Sequence, residues 1–326
     1  MLQQREMTNP DLSALLPASI AARVSSLTLK DRRALAVLDV SGMGDQERKD
    51  ISAAITDILS AQDTVDDVRI AMTAERKTRQ LIAIGSGKGG VGKSTLTANL
   101  AVALARKGRK VGLVDADIYG PSQPTLLGNY GQRPEVSEDK LVPVASKFGV
   151  PVLSMGHLID AGRAIAWRGP MAGKALTQLI DAQWGDAEVI LVDLPPGTGD
   201  VQLTMLQKFK PAGAIIVSTP QDLALIDAAR AGQLFDEAEV PVIGLVENMA
   251  GYACPHCGEL SDPFGKGGVE TAAGRLELPF LGRIPLHMDI RQSSDAGTPP
   301  AAGDSAQAAP FLAIAEQLDA WLCANV

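Results

Sequence analysis

The stretch GSGKGGVGKST, residues 85–95, constrains the fold of this chain more than any other stretch. It contains the pattern G-x-x-x-x-G-K-S from Gly87 to Ser94, between an apolar run at 81–87 and a segment of helical periodicity at 93–108. Glycines let backbone N–H groups converge on phosphate oxygens, where side chains would obstruct the approach. A strand, a glycine-rich loop and a helix in this order predict a phosphate-binding turn at the edge of a sheet.

The loop also carries the residue types that bind nucleotide phosphates and magnesium. Lys93 is expected to neutralise the β- and γ-phosphates, and the Ser94 hydroxyl is expected to bind Mg2+. The helix predicted to begin here adds the positive end of its dipole. We expect the nucleotide to contact these residues of the loop: Gly87, Lys88, Gly89, Gly90, Val91, Gly92, Lys93, Ser94 and Thr95.

The rest of the chain repeats apolar strands separated by helical stretches. Further strands are predicted at 110–117, 188–197, 212–220, 240–249 and 279–286. Near-continuous apolar runs alternating with helices predict an α/β fold, in which a mostly parallel sheet is covered by helices on both faces. The section 121–160 is richer in Pro and Gly and is predicted as an insertion, with a hairpin formed by KLVPV (140–144) and VPVLSMG (150–156).

Composition excludes several classes of protein. The 326 residues suffice for one large α/β domain and a small one, and the net charge of -8 leaves no excess of Lys and Arg to displace counterions from nucleic acid. Three cysteines argue against a disulfide-stapled secreted protein. The N-terminus lacks the pattern of a signal peptide, and no run reaches the roughly 18 apolar residues of a membrane span. We therefore expect a cytoplasmic protein that binds neither nucleic acid nor membrane.

A small unit precedes the nucleotide-binding section. Residues 1–75 are predicted to contain a strand, a helix and a strand, at 33–42, 45–61 and 65–72. The charged stretch TAERKTRQ (73–80) lacks apolar periodicity, and we assign 76–80 as a linker and 81–326 as the nucleotide-binding domain. The N-terminal unit is therefore expected to be a separate, small α+β domain.

A second lysine, Lys88, lies inside the loop and gives the sequence GKGGVGKS. This loop resembles the deviant Walker A loop of the MinD, ParA and arsenite-pump ATPases. The resemblance implies that Lys88 reaches across a dimer interface to the nucleotide of the partner subunit. Together with Lys93, it would stabilise the charge that develops during phosphoryl transfer. The chain is thus expected to bind and hydrolyse ATP as a homodimer.

Polar residues at the ends of predicted strands match further positions of these ATPases. Ligands of open parallel sheets gather at the carboxyl ends of the strands. The resemblance implies that Asp117 positions the attacking water, that Asp115 is associated with magnesium, and that Asp193 holds Mg2+ through water, with Gly197 in a mobile switch segment. Asn248 matches the asparagine that reads adenine. For Asp115, capping of a turn stays open as an alternative.

The stretch YACPHCGEL (252–260) carries two cysteines at a metal-binding spacing. Cys254 and Cys257 form a C-x-x-C pair, but closed thiolate sites for zinc or iron–sulfur clusters need about four ligands. The third cysteine, Cys323, is far away in the sequence, within a predicted buried C-terminal helix. His256 lies between the two thiols, where a rigid turn would point it away from a metal. One chain therefore provides half of a site, for a cluster or for zinc; a redox dithiol is a third alternative.

Several further stretches resemble the Mrp family of iron–sulfur cluster carrier ATPases, known as ApbC in bacteria, almost continuously from residue 80 to about residue 300. They are WRGPMAGKAL (167–176), DLPPGTGDVQLT (193–204), STPQDLALIDAAR (218–230), ENMAGYACPHCG (247–258) and FGKGG (264–268). The resemblance implies that Cys254 and Cys257 of two subunits hold one 4Fe–4S cluster on a two-fold axis. Scaffold proteins would donate the cluster, and apo iron–sulfur proteins would receive it.

Two further parts of the chain, the N-terminal unit and the C-terminal helix, help to distinguish the alternative functions. Residues 1–75 resemble a shortened MIP18-type domain but contain no cysteine, so an interaction or regulatory role is expected there. A MinD- or ParA-like positioning protein is the main functional alternative, and a zinc-bridged ATPase dimer is another. A MinD-like membrane anchor is a basic amphipathic helix, whereas the final helix carries Glu316 and Asp319 and neither Lys nor Arg.

Overall fold

The computed structural model describes residues 12–41, 43–73, 79–158, 169–254 and 256–325. The chain divides into two compact units, Met1–Thr78 and Arg79–Val326. Residues 76–78 of the predicted linker lie outside the described residues, as do Trp167 and Arg168, the first two residues of the stretch WRGPMAGKAL.

The N-terminal unit is a three-stranded sheet with one long helix. Its elements are a 3-10 turn (Leu12–Leu15), α1 (Ala18–Ala21), β1 (Val24–Lys30), β2 (Arg33–Asp39), α2 (Asp45–Ser60) and β3 (Asp67–Thr73). Strand β2 is central, antiparallel to β1 and parallel to β3. The core of the unit contains Leu38 of β2 together with Ile55 and Leu59 of α2, all fully buried. The sequence predicted every long element of this unit except β1.

Strand β1 was not predicted from the sequence, because the turn that joins it to β2 lacks the glycine that usually marks such a turn. The connection to β2 is Asp31–Arg32, and both residues have positive φ, 49° and 63°. Two-residue hairpin turns with two positive φ angles normally contain glycine. The Arg32 guanidinium binds both carboxylate oxygens of Asp66, with its Nε 2.6 Å from Oδ2, which fixes the turn against the start of β3.

The second unit is built on a sheet that is parallel except at one strand. The strands of this unit are β4 (Gln80–Gly85), β5 (Val111–Asp115), β6 (Glu135–Ser137), β7 (Lys140–Val142), β8 (Val152–Ser154), β9 (Val189–Asp193), β10 (Gly213–Ser218), β11 (Val242–Ala253), β12 (Leu260–Ser261) and β13 (Phe280–Leu286). The order is β12-β11-β10-β4-β9-β5-β8, with β13 also paired to β11. Only β12 of this sheet runs antiparallel to its neighbour in the described part of the chain.

Helices cover both faces of this sheet. They are α3 (Lys93–Arg106), α4 (Gln123–Leu126), α5 (Met155–Leu158), α6 (Gly169–Ile180), α7 (Asp200–Thr204), α8 (Asp222–Glu237), α9 (Gly268–Arg275), α10 (Met288–Asp295) and α11 (Ala309–Ala324), with a π-turn at Met205–Phe209 and a 3-10 turn at Pro300–Ala302. Leu100 of α3 packs in one core with Leu318 of α11. Leu179 of α6 and Phe235 of α8 belong to a core on the other face. The predicted α/β architecture is confirmed.

The described helices are each too short or too polar to cross a lipid bilayer. The helix α11 has the predicted buried face, with Phe311, Ile314 and Leu318 almost fully covered. Cys323 itself is exposed on the other side of α11, where its sulfur accepts a hydrogen bond from Arg109 Nη2 at 2.7 Å.

The hairpin predicted within the insertion is wrong. Strands β6 and β7 form the antiparallel pair, whereas VLS (152–154) is strand β8, parallel to β5 at the edge of the main sheet. A single antiparallel bridge between Val144 and Val152 joins the two segments that were expected to pair. Strand β8 is fully buried, and the open edge of β5 satisfies its backbone better than a short exposed hairpin could.

A substitution of Gly112 in β5 tests how closely the sheet packs against the loop that carries Trp184. A Cβ atom at this position would lie 2.6 Å from Cε3 of the buried Trp184 ring. We predict that Gly112→Ala lowers the free energy of unfolding by about 1–3 kcal/mol, the usual cost of overpacking a core. Urea unfolding of the full chain, followed by tryptophan fluorescence, measures the change.

Gly274→Ala is the matched control, because a Cβ at this position in α9 meets open space. It should stabilise the protein by up to about 1 kcal/mol through reduced freedom of the unfolded chain. Equal stabilities for the two variants would contradict the packing that we describe around Trp184.

Candidate functional site

The glycine-rich loop joins β4 to α3 and wraps around a cavity of about 240 Å³. Gly90 and Gly92 adopt left-handed φ angles of 78° and 83°. A Cβ on Gly92 would lie 2.0 Å from the Asn248 side-chain nitrogen, so only glycine fits at this position. The cavity is lined by Ser86, Gly89, Gly90, Val91, Gly92, Lys93, Ser94, Thr95, Asp117, Gly120 and Pro196. It brings most of the predicted loop contacts together with Asp117.

Lys93 and Asp193 form a buried ion pair beside the cavity. The Lys93 ammonium lies 2.5 Å from Asp193 Oδ1, and the two side chains are 6% and 0% exposed. Lys93 Nζ is also 3.3 Å from the Ser94 hydroxyl, and the Thr97 hydroxyl donates to Asp193 Oδ1 at 3.3 Å. The predicted phosphate-binding lysine and the predicted magnesium-associated carboxylate therefore neutralise each other across two elements, α3 and β9.

A residue that the sequence did not flag, Gln123, completes the shell around Asp193. Its Nε2 donates to Asp193 Oδ2 at 2.8 Å and to the Ser94 carbonyl at 3.0 Å. The side chain is fully buried, and Oε1 has no hydrogen-bond partner among the described residues. An unpaired buried acceptor costs about 1–3 kcal/mol. Gln123 follows YGPS in the sequence and belongs to no motif with a known spacing, so no sequence signal identified it.

Asp115 organises the loop that follows β5. Its Oδ2 accepts the backbone N–H groups of Ser122 and Gln123, each at 3.0 Å, and the Ser154 hydroxyl at 2.9 Å. Burial, and then the negative charge of Asp193, raise the pKa of Asp115 to about 7. These contacts favour the alternative left open for Asp115, namely that it shapes a turn.

Asp117 lies at the cavity wall and is held by its own loop. Its Oδ1 accepts the backbone N–H groups of Tyr119 at 3.0 Å and Gly120 at 3.2 Å, an Asx turn. The side chain is 9% exposed and borders the cavity. The assignment of Asp117 to the attacking water remains a prediction.

The loop after Asp193 is attached to the glycine-rich loop. Gly197 N donates to the Ser86 carbonyl at 2.9 Å. The buried Gln202 amide donates to the Pro195 carbonyl at 2.5 Å and to Gly197 O at 3.1 Å. Gln202 was also missed by the sequence analysis, because its partners are backbone carbonyls that only the folded loop brings near.

Lys88 and Asn248 contact the protein rather than line the cavity. Lys88 Nζ donates to the Gln221 side-chain oxygen at 2.9 Å, next to the start of α8. Asn248 Nδ2 donates to the Val91 carbonyl at 2.7 Å, so strand β11 supports the glycine-rich loop from behind. The roles predicted for Lys88 and Asn248 toward nucleotide remain predictions.

Strand β11 is anchored by a buried carboxylate next to Asn248. Glu247 is fully buried, and Oε1 accepts from Arg283 Nε at 2.9 Å and from Gly267 N at 3.1 Å, while Oε2 accepts from Val269 N at 2.8 Å. The start of α9 and strand β13 are thereby fixed to β11. Gly267 of the stretch FGKGG is in this way attached to the residue before Asn248.

Strand β11 bends before it reaches the cysteines. Met249 and Gly251 have φ angles of 58° and 79°, and the pairing with β13 shifts register between Asn248 and Tyr252. A non-glycine residue with positive φ is uncommon and marks a local departure from the strand. The cysteine hairpin therefore follows a bend rather than a straight continuation of the sheet.

The two cysteines lie on a tight, exposed hairpin. Cys254 N donates to the Glu259 carbonyl at 2.9 Å, and Gly258 N donates to the Cys254 carbonyl at 2.8 Å. The backbone N–H of Cys257, then that of His256, and then the Cys257 side chain lower the pKa of Cys254 below its ordinary value of 9.0. Hydrogen bonds to the sulfur favour the thiolate, which is the form that binds metals.

The hairpin provides two thiols and no third ligand within the part of the chain that the structure describes. No group of three or more His, Cys, Asp or Glu side chains converges on a metal-sized space among those residues. His256 and Cys257 are exposed, and Cys254 is half-buried. A site that needs four sulfur ligands is therefore incomplete in one subunit.

The nucleotide-binding unit as a whole matches a known family. The profile of the NUBPL iron-transfer P-loop NTPases covers residues 77–319, more than half of the chain. The chain belongs to this family. Membership confirms the predicted fold and class of enzyme, a P-loop NTPase with a mostly parallel sheet, and the predicted resemblance to iron–sulfur cluster carrier ATPases.

Curated relatives carry names from iron–sulfur metabolism. A mitochondrial iron–sulfur protein required for NADH dehydrogenase from Arabidopsis thaliana is 50% identical over 224 residues, which are 68% of this chain and 71% of that protein. The iron–sulfur cluster carrier protein of Escherichia coli K12 is 47% identical over 222 residues, 68% of this chain. The match spans 60% of the length of the Escherichia coli protein.

Solved structures show the same fold. A nucleotide-binding protein from Archaeoglobus fulgidus, in complex with ADP and with cobalt found in it, superposes with a TM-score of 0.60 at 40% identity, over 68% of this chain and 87% of that one. The cell-division ATPase MinD of Pyrococcus furiosus superposes with a TM-score of 0.56 at 28% identity, over 74% of this chain and 99% of that one.

The lowered pKa of Cys254 predicts a reactive thiol. In a Cys257→Ser, Cys323→Ser variant, the backbone N–H groups that face Cys254 remain, so its thiolate should persist to lower pH than that of an unstructured cysteine. We predict that the pH midpoint of alkylation by iodoacetamide lies below that of a cysteine peptide under the same conditions. A midpoint equal to or above that of the peptide would contradict the hairpin geometry.

Proposed function

We propose that this protein is an ATP-dependent carrier of 4Fe–4S clusters, and that it holds the cluster between two subunits and transfers it to apo iron–sulfur proteins. One observation carries the proposal: an exposed hairpin with two thiols, and with no further ligand among the residues that the structure describes, follows the strand that supports the nucleotide loop. The names of the curated relatives support the same cargo. Cluster-assembly scaffolds are the proposed donors.

The geometry around the cavity fits a magnesium–nucleotide complex. Mg2+ prefers oxygen ligands, and Ser94, Asp117 and Asp193 provide a hydroxyl and two carboxylates at or beside the cavity. When bound, the metal would neutralise phosphate charge. Lys93 is paired with Asp193, so we infer that it exchanges this partner for phosphate oxygens when ATP binds. Asp117, at the cavity wall, is the proposed residue that orients water.

A second copy of the chain would complete both sites. In a two-fold dimer, each hairpin faces its own copy, and two pairs of Cys254 and Cys257 supply four thiolates. Lys88 would reach the nucleotide of the partner, as the resemblance implies. Its hydrogen bond to Gln221 within the subunit must then be released. ATP binding would thus favour one arrangement of the dimer, and hydrolysis another.

Strand β11 supplies a route between the two sites. Asn248 contacts the glycine-rich loop, and Cys254 follows six residues later, beyond the bend at Met249. A change in the position of the loop would act on the root of the cysteine hairpin. We propose that the nucleotide state in this way alters how tightly the hairpins hold the cluster. The N-terminal unit is proposed as an interaction or regulatory module.

Anaerobic reconstitution with iron and sulfide tests the cargo. The wild-type dimer should acquire one 4Fe–4S cluster with visible absorption, and Cys254→Ala or Cys257→Ala should abolish loading and transfer while nucleotide binding stays largely intact. Cys323→Ala is the matched control, because this thiol lies on α11 and should not affect loading. Iron, sulfide and absorption per dimer are measured.

Two outcomes would contradict the proposal. Stoichiometric zinc in a colourless protein would support the zinc-bridged alternative, because two C-x-x-C pairs also suit a tetrahedral zinc site. A full cluster bound by a strictly monomeric protein, with ATP saturating, would exclude a shared site.

Nucleotide binding provides a separate test. Lys93→Ala should weaken ATP binding by about ten- to hundredfold, because hydrogen bonds to charged groups contribute about 1.5–3 kcal/mol. Ser94→Ala should mainly lower Mg2+-dependent turnover. Lys107→Ala, at the other end of α3, is the control and should bind normally. Equilibrium binding and phosphate release are the measurements, and normal hydrolysis in both Lys93→Ala and Ser94→Ala would overturn the assignment of the loop.

A further inference from the structure

Gln123 contacts both halves of the candidate magnesium site. Its amide group donates to a carboxylate oxygen of Asp193 at 2.8 Å and to the backbone carbonyl of Ser94 at 3.0 Å. Asp193 ends β9, and Ser94 is the second residue of α3. A single buried side chain thus bridges the strand-end carboxylate and the residue whose hydroxyl is the proposed metal ligand.

The orientation of this amide is determined by its partners. Both atoms that face Nε2 are acceptors, so the reversed amide would place Oε1 against two oxygens. The oxygen must therefore point elsewhere, and it is buried without a donor among the described residues. A buried polar atom without a partner is uncommon in native proteins and calls for an explanation.

The backbone of Gln123 is held as firmly as its side chain. Its N–H donates to Asp115 Oδ2 at 3.0 Å, and Asp115 also accepts from the hydroxyl of Ser154 in β8. Strands β5, β8 and β9 are neighbours in the sheet or joined through β5. The backbone of Gln123 is therefore fixed, so its side-chain amide keeps one position relative to Asp193. A residue that orients another side chain needs this property.

We propose that Gln123 is a positioning residue for the divalent cation of the bound nucleotide. It occupies Asp193 Oδ2 and leaves Oδ1, the oxygen now paired with Lys93, to face the metal and its water once the lysine turns to phosphate. Water bound to a cation is a hydrogen-bond donor, which the free Oε1 lacks. The inference rests on the proposed ATP-binding function and adds a residue that acts on the metal through Asp193.

Gln123→Met tests the inference, because methionine has a similar length but donates no hydrogen bond. The Mg2+ concentration for half-maximal ATP hydrolysis should rise at least about tenfold, within the roughly 10–100-fold losses seen when partners of metal ligands are removed. The KM for ATP at saturating Mg2+ should change by less than about twofold, since the phosphate-binding groups of the glycine-rich loop are unchanged in this variant. Titration with a fluorescent ADP analogue should show weaker binding at sub-saturating Mg2+ and unchanged binding in EDTA.

Asn129→Leu is the matched control. Asn129 lies just after α4 and is also a buried amide whose oxygen has no partner among the described residues, and its side-chain nitrogen donates to the Ala145 carbonyl at 3.4 Å. The Asn129→Leu variant should be less stable than the wild type, but the Mg2+ concentration that it needs for ATP hydrolysis should not change. Should Gln123→Met prove too unstable to purify, Gln123→Asn, which is one methylene too short to reach both partners, carries the same expectation with a rise of about threefold or more.

The outcomes separate this inference from the proposed function. Wild-type protein with Mg2+-dependent nucleotide binding, and a Gln123 variant with the same Mg2+ requirement, would overturn the positioning role alone. Wild-type protein that binds no nucleotide, with or without Mg2+, would overturn both. A raised Mg2+ requirement in the Gln123 variant, with a normal requirement in Asn129→Leu, would establish the role.

Discussion

The carboxylate of Asp193 is the point on which the candidate nucleotide site is assembled. It is fully buried at the end of β9, and it is held by Lys93 and Thr97 of α3 on one oxygen and by Gln123 of α4 on the other. A buried charge of this kind is stable only when its partners surround it. The glycine-rich loop, the first turn of α3 and the loop after β5 therefore share a single electrostatic centre.

The ion pair between Lys93 and Asp193 stabilises the site and also makes it sensitive to a phosphate that approaches Lys93. The Lys93–Asp193 pair neutralises itself within the protein, so a triphosphate that attracts Lys93 also alters the surroundings of Asp193. The loop that follows Asp193 is bonded to the glycine-rich loop through Gly197 and Ser86. A ligand in the cavity is thus linked by short contacts to the segment around Gly197, which the resemblance identifies as mobile. The electrostatics of the site and its proposed conformational response have the same origin.

The sequence predicted those features that depend on local pattern. Apolar periodicity and glycine spacing identified the loop around Lys93 and the strand that ends at Asp193, and the C-x-x-C spacing identified the hairpin. Contacts made across the fold left no local signal: Gln123 and Glu247 are polar residues whose partners lie on other elements. The failures in strand pairing have similar causes, because the Asp31–Arg32 turn lacks glycine and because short apolar runs in the insertion suit either a hairpin or a sheet edge.

The bend at Met249 in β11 has a mechanical consequence. Cys254 lies six positions after Asn248, which is at most about 20 Å of extended chain at about 3.3 Å per residue. Because the backbone changes direction at Met249 and again at Gly251, the cysteine hairpin does not continue the line of β11. Tyr252 pairs again with Leu286 of β13 and with Ser261 of β12, so in the proposed dimer the thiols of one subunit would move toward or away from those of the other only together with this edge of the sheet. The proposed exchange of a cluster would then demand little rearrangement of β4 and β9 at the centre of the sheet.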